Sequence, residues 1–161
     1  MFRIGYTVTT YVAQYVLPAA ALISPKLKDF LHQRKHANQP LKGPVKFWVH
    51  AASLGEYEQG FPVFNEIKSL YNDHKIVISF FSSSGYNVRK LNPISDLTVY
   101  LPIDTEKNAN KFLDLLNPKM VFFVKYEFWP NFLKSLKNRN IPTYLIAGIF
   151  RKNHWFFNFY G

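Results

Sequence analysis

The chain has 161 residues, a formal net charge of +10, and an apolar fraction of 48% that includes 16 Phe and 10 Tyr. That size and apolar content suit one domain with its own core and exclude a disordered chain. The charge favours an anionic partner (phosphate, nucleic acid or an acidic membrane surface), and the absence of cysteine excludes disulfides, thiolate catalysis and Cys-based zinc sites.

Residues 4–25 carry no charge, whereas Arg3 precedes them and Lys26, Lys28, Arg34 and Lys35 follow. The length could just cross a bilayer, but Thr7, Thr9, Thr10, Gln14 and Pro18 make a poor span. Three readings stay open: a membrane-surface or weakly spanning anchor, a helix packed on the domain with Pro18 as a kink, and a cleaved leader. The anchor is favoured, because the basic cluster beyond it would meet anionic headgroups. Residues 36–44, with Asn38, Gln39, Pro40, Gly43 and Pro44, read as a linker. The expected division is therefore a hydrophobic N-terminal segment and linker at 1–44 and a folded domain at 45–161.

Residues 45–50 form a short apolar run that ends in Ala51-Ala52-Ser53. Phe61, Phe64, Ile67 and Leu70/Tyr71 then recur at helical spacing, so Glu56 stands where a strand gives way to a helix. Further strands are expected at 76–81, 97–101, 120–124 and 143–147. Between them lie a short helix ended by Asn92-Pro93, a helix with the apolar face Ala109, Phe112, Leu113 and Leu116 that Asp104 or Thr105 can cap, and a helix opened by Pro130. Strand and helix alternating five times through short connections predict an α/β domain with a Rossmann-like, five-stranded parallel sheet and helices on both faces.

Loops that follow parallel strands share one edge of the sheet, so Ser53, Gly55 and Glu56, then Ser82, Ser83, Ser84 and Gly85, then Asp104, Lys125 and Glu127, and last Arg151 should converge there. An acid, hydroxyls, helix N-termini and cations brought together suit an anionic, hydroxyl-rich ligand. No Gly-x-Gly-x-x-Gly and no Walker lysine follows the first strand, which argues against a standard dinucleotide or P-loop site. Each residue also has a plainer reading. Glu56 can be a first-turn acid on a helix dipole, Glu127 an ion-paired acid beside Lys125, Trp129 core packing, His50 a satisfied core histidine, and the serines turn formers.

Three stretches, Trp48-Val-His-Ala-Ala-Ser-Leu-Gly-Glu56, Tyr100-Leu-Pro-Ile-Asp104 and Glu127-Phe-Trp-Pro-Asn131, in this order and at these separations, resemble the N-terminal domain of 3-deoxy-D-manno-octulosonic acid (Kdo) transferases. The resemblance implies the N-terminal half of a two-domain GT-B fold. It also implies an inverting glycosyltransferase that moves Kdo from CMP-Kdo to the glucosamine disaccharide of a lipid A precursor, at the cytoplasmic face of the bacterial inner membrane. It makes Glu56 the general base, with Ser53 and Gly55 as its turn, Glu127 a second acid, and Arg151 a basic group after the fifth strand. Where the family often has an acid and a threonine, this chain has Lys125 and Tyr126. No metal, no cofactor and no nucleic acid are expected; the partners would be the acceptor lipid, the membrane surface, and a donor held by a C-terminal domain that this chain lacks. Alone, such a half should not turn over. The rivals are a non-catalytic basic α/β module that binds anionic lipid or nucleic acid, and a GT-B transferase of different substrate.

Overall fold

Five short runs rich in apolar residues become five strands, each closed by a turn or loop. The computed structural model describes residues 2–37, 45–148 and 150. In chain order the elements are α1 Phe2–Ala20, α2 Pro25–Ala37, β1 Phe47–Ala51, α3 Leu54–Leu70, β2 Ile76–Phe80, α4 Ser83–Arg89, β3 Leu97–Tyr100, α5 Glu106–Leu116, β4 Met120–Val124, α6 Pro130–Asn138 and β5 Thr143–Ile146. All neighbouring strands pair parallel. The order across the sheet is β3-β2-β1-β4-β5, so the chain builds outward from β1 in one direction and then returns to β1's other side. That reversal leaves a crevice between the carboxyl ends of β1 and β4, the place where open α/β sheets bind ligands.

Successive residues of a strand point to opposite faces, so the sheet has two cores. Trp48, Val77, Val121 and Phe123 face α5 and α6, packing with Phe112, Leu113, Phe132 and Leu136. Phe47, Val49, Ile76, Ile78 and Phe80 face α3 and α4, packing with Tyr57 and Phe64. Burying each such large side chain contributes about 1.5–3 kcal/mol, which is why tertiary packing rather than helix propensity holds these short elements.

Helix α5 buries the four residues its period predicts. Thr105 is its N-cap, accepting a hydrogen bond from Asn108 N at 3.2 Å. Helix α3 departs from expectation. Its buried face is Tyr57, Gly60 and Phe64, while Phe61, Leu70 and Tyr71 are exposed. The inward face is rotated because Gly60 has no Cβ, and the Phe64 ring fills the space a Cβ would need.

The N-terminal segment is two helices, and α2 covers the basic residues for which no helix is evident in the pattern. Helix α1 docks on the domain: Tyr6 Oη donates to Asp104 Oδ2 at 2.9 Å, and Asn108 Nδ2 donates to Gln14 at 3.0 Å. No helix among the described residues is long and apolar enough to cross a membrane. The opposite face of α1 keeps Val8, Val12, Tyr15 and Val16 exposed, followed by Leu22 and Ile23.

A Cβ on Gly85 would lie 2.2 Å from the fully buried Phe80 ring. Gly85→Ala is therefore expected to lose about 1–3 kcal/mol by overpacking, readable in thermal unfolding. An unchanged melting temperature would mean that α4 moves freely over β2.

Candidate active site

The crevice between β1 and β4 gathers two carboxylates from distant parts of the chain. Glu56 is the third residue of α3, and its Oε2 accepts from Ser53 N at 3.0 Å, so it does cap its own helix. Glu127 sits in the turn after β4. Its Oε2 accepts from Trp129 Nε1 at 2.8 Å and faces His50 Nε2 at 3.4 Å. No Lys125–Glu127 ion pair forms. Lys125 instead holds a left-handed backbone, φ 63°, that turns the chain out of β4. Strain of that kind in a residue with a Cβ clusters at functional sites.

His50 is fully buried, and its register partner on β2 is Ser79. Trp48 Nε1 donates to Ser79 Oγ at 2.8 Å, Ser79 Oγ donates to Val49 O at 3.4 Å, and His50 Nδ1 lies 2.9 Å from Ser79 Oγ and 3.1 Å from Ser79 O. The Nε2 to Glu127 approach is a contact without formed hydrogen-bond geometry, of the sort that tightens when a site fills. Trp129 holds the Glu127 carboxylate, with the buried imidazole of His50 facing it, close enough for its charge to act on Glu56. His50 is a core residue, as in the sequence reading, with its Nε2 left without a hydrogen bond and facing Glu127. A polar residue in each of two otherwise apolar strands, His50 and Ser79, is the signal that could have exposed the link.

Burial pushes the Glu56 carboxyl above its usual range, and the Glu127 charge adds to this. The backbone N–H groups of Ser53 and Ala52 and the nearby His50 oppose the rise without cancelling it. A helix N-terminus alone would have weakened this carboxylate as a base; desolvation and a second acid reverse the sign. The phenol of Tyr6 is also raised, by burial first, then by Asp104, with a further contribution from Glu127, so α1 reaches the same crevice.

Asp104 does not cap α5. Its carboxylate accepts from Asn131 N at 3.1 Å and Phe132 N at 3.0 Å, capping α6 from another loop. Asn131 Nδ2 returns a hydrogen bond to Asp104 O at 2.6 Å. The second motif thereby holds the third in place, which explains their joint occurrence in the sequence.

The remaining expected residues are arranged as follows. Ser82 N donates to Ala52 O at 2.8 Å, joining the turn after β2 to that after β1. Ser82 and Ser84 pair through their hydroxyls at 2.9 Å, with Ser83 and Ser84 exposed. Gly55 is open, with nothing near where a Cβ would stand, whereas Gly85 is packed under Phe80. Arg151 lies outside the described residues. Among the described residues no group of His, Asp and Glu has the geometry of a metal site.

A parallel α/β sheet of this order, with paired carboxylates at its switch point, is the architecture of a Rossmann-like glycosyltransferase half. Residues 26–156 match the family model described as 3-deoxy-D-manno-octulosonic-acid transferase (kdotransferase), and the chain belongs to that family as its N-terminal domain. It is similar to the 3-deoxy-D-manno-octulosonic acid transferase of Haemophilus influenzae, 28% identical over 88% of this chain and 35% of that protein. The enzyme of that name from Aquifex aeolicus is 32% identical over 62% of this chain and 27% of its own length. A bifunctional glycosyltransferase/methyltransferase of Fusobacterium nucleatum is 28% identical over 76% of this chain and 20% of that protein. The chain thus spans about a fifth to a third of these relatives' lengths.

Proposed function

We propose that this chain is the acceptor-binding half of an inverting GT-B glycosyltransferase that moves Kdo from CMP-Kdo to a lipid A precursor, with Glu56 as general base. The observation that carries this reading is the position of Glu56: at the β1/β4 crevice, beside Glu127 and His50, with its carboxyl raised toward the range useful to a base near neutral pH. An acceptor hydroxyl is a weak nucleophile. A carboxylate in reach takes its proton as the bond from the departing nucleotide to the sugar breaks, on the face opposite the leaving group, as in inverting glycosidases. The serine turn after β2 and Lys125 supply hydroxyl and cationic contacts to a phosphorylated sugar acceptor. Kdo transfer to a lipid A precursor, assayed in the protein that carries this domain with its donor-binding half, tests the reading. Transfer of another sugar, or none, would refute it.

The exposed apolar stripe of α1, next to the basic α2, supports placement on the cytoplasmic face of the inner membrane, where a lipid-borne acceptor is reached from the bilayer. Deleting residues 1–24 should abolish flotation with anionic liposomes. Unchanged flotation would assign α1 a purely structural role.

A further inference from the structure

Lys26 and Lys28 at the start of α2 are exposed, whereas Arg34 near its end turns into the domain. The Arg34 Cζ lies 3.4 Å from the Phe30 ring centroid, 4.7 Å from that of Tyr100 and 4.8 Å from that of Phe81. Its guanidinium donates to Phe30 O at 3.3 Å and to Phe81 O, and Tyr100 Oη donates to the neighbouring Gln33 at 2.7 Å. The Arg34 Nε is buried without a hydrogen bond, and the side chain makes no ion pair with any carboxylate among the described residues. Burial lowers its pKa to about 10, so the group stays charged at neutral pH.

Phe81 is where this grip meets the two carboxylates. Its ring packs on Trp129, with centroids 4.9 Å apart, and Trp129 Nε1 donates to Glu127 Oε2 at 2.8 Å. Its backbone N–H donates to Ala52 O at 3.3 Å, and the N–H groups of Ala52 and Ser53 hold Glu56. One residue at the end of β2 thus touches both turns, through its ring on one side and its peptide on the other. Arg34 holds that residue by both, stacking over the ring and accepting the carbonyl into its fork. A desolvated cation with no counter-ion contributes little net stability, so what the guanidinium supplies at this point is a fixed geometry.

We propose that Arg34 is a positioning residue: by clamping Phe81 it holds the turns of Glu56 and Glu127 at the spacing that transfer requires. The proposal rests on the reading of those two carboxylates as the working groups of the site. It gives α2 a part in the reaction although no residue of that helix reaches the crevice itself.

The Trp129 indole reports the clamp without any turnover. In full-length protein carrying 15N-indole tryptophan, the Trp129 Nε1–H resonance is assigned by its loss in Trp129→Phe. In Arg34→Met, which keeps the apolar stem and removes the fork, that proton should exchange with solvent about tenfold faster, as a locally loosened hydrogen bond does. Turnover should fall by about tenfold to a hundredfold with the acceptor KM unchanged, the order of loss that follows from displacing a reacting group by an ångström. A purely structural Arg34 would lower the melting temperature and leave both readouts of the folded protein as in wild type. Arg34→Lys keeps the charge and the stem but has no flat face to stack, so it should show the same two changes, which keeps the test decisive if Arg34→Met unfolds. Unchanged exchange, or unchanged kcat where Glu127→Gln is impaired, in either folded variant overturns the proposal. Full activity in Glu56→Gln would refute the base assignment by itself, and the exchange rates would still decide whether Arg34 holds Trp129.

Discussion

Replacing Glu56 with glutamine in the full-length enzyme is expected to lower turnover by roughly two to four orders of magnitude, the usual worth of general acid–base catalysis, with acceptor binding nearly unchanged. Glutamine keeps the shape and can still accept from Ser53 N, but it cannot take a proton. The stability of the same variant separates this role from simple capping. A side chain that only complements the helix dipole would lose up to about 1 kcal/mol on neutralisation and leave the rate intact. The structure predicts the opposite sign. Because folding raises the Glu56 pKa, the native state holds its proton more tightly than the unfolded state does, and its contribution to stability is greatest below the unfolded carboxylate pKa. That contribution is lost as pH rises through the raised native value. Above it the ionised carboxylate is destabilising, so Glu56→Gln should melt no lower than wild type at neutral pH. A less stable variant of near-normal activity would place the base elsewhere, with Glu127 next in line.

For Glu127→Gln the expected loss of turnover is smaller, about tenfold to a hundredfold, corresponding to one charged hydrogen bond of roughly 1.5–3 kcal/mol. The substituted amide could still accept from Trp129 Nε1 but would place no negative charge beside His50 and Glu56. The informative readout is the pH profile. Glu127 raises the Glu56 carboxyl through like charge, so removing it should move the acidic limb of kcat/KM to lower pH. A purely structural Glu127 would lower activity through stability and leave that limb in place. An unmoved limb with full activity would remove Glu127 from the site.

The strands were legible in the sequence because each is a short run rich in apolar residues closed by a turn signal, and in β1 and β2 burial on both sheet faces removes any need for a polar alternation. Glu56 was legible as a strand-end acid for the same reason. The phase of α3 was not, since Gly60 accommodates a ring that no periodicity argument can foresee. Nor was α2, where basic residues mask a modest helical period.

What the sequence determined by itself is which residues stand at the ends of strands: propensity, turn chemistry and alternation are local, and they place Glu56 after β1 and Glu127 after β4 without reference to the rest of the chain. Which strand ends are neighbours is set by pairing across the sheet. Only the order β3-β2-β1-β4-β5 brings the turn of Glu56 against that of Glu127, aligns His50 with Ser79, and lets Asp104 cap a helix that begins 26 residues later. Those contacts depend on long-range burial and on the entropy of closing loops between distant segments, quantities that no local window of residues contains.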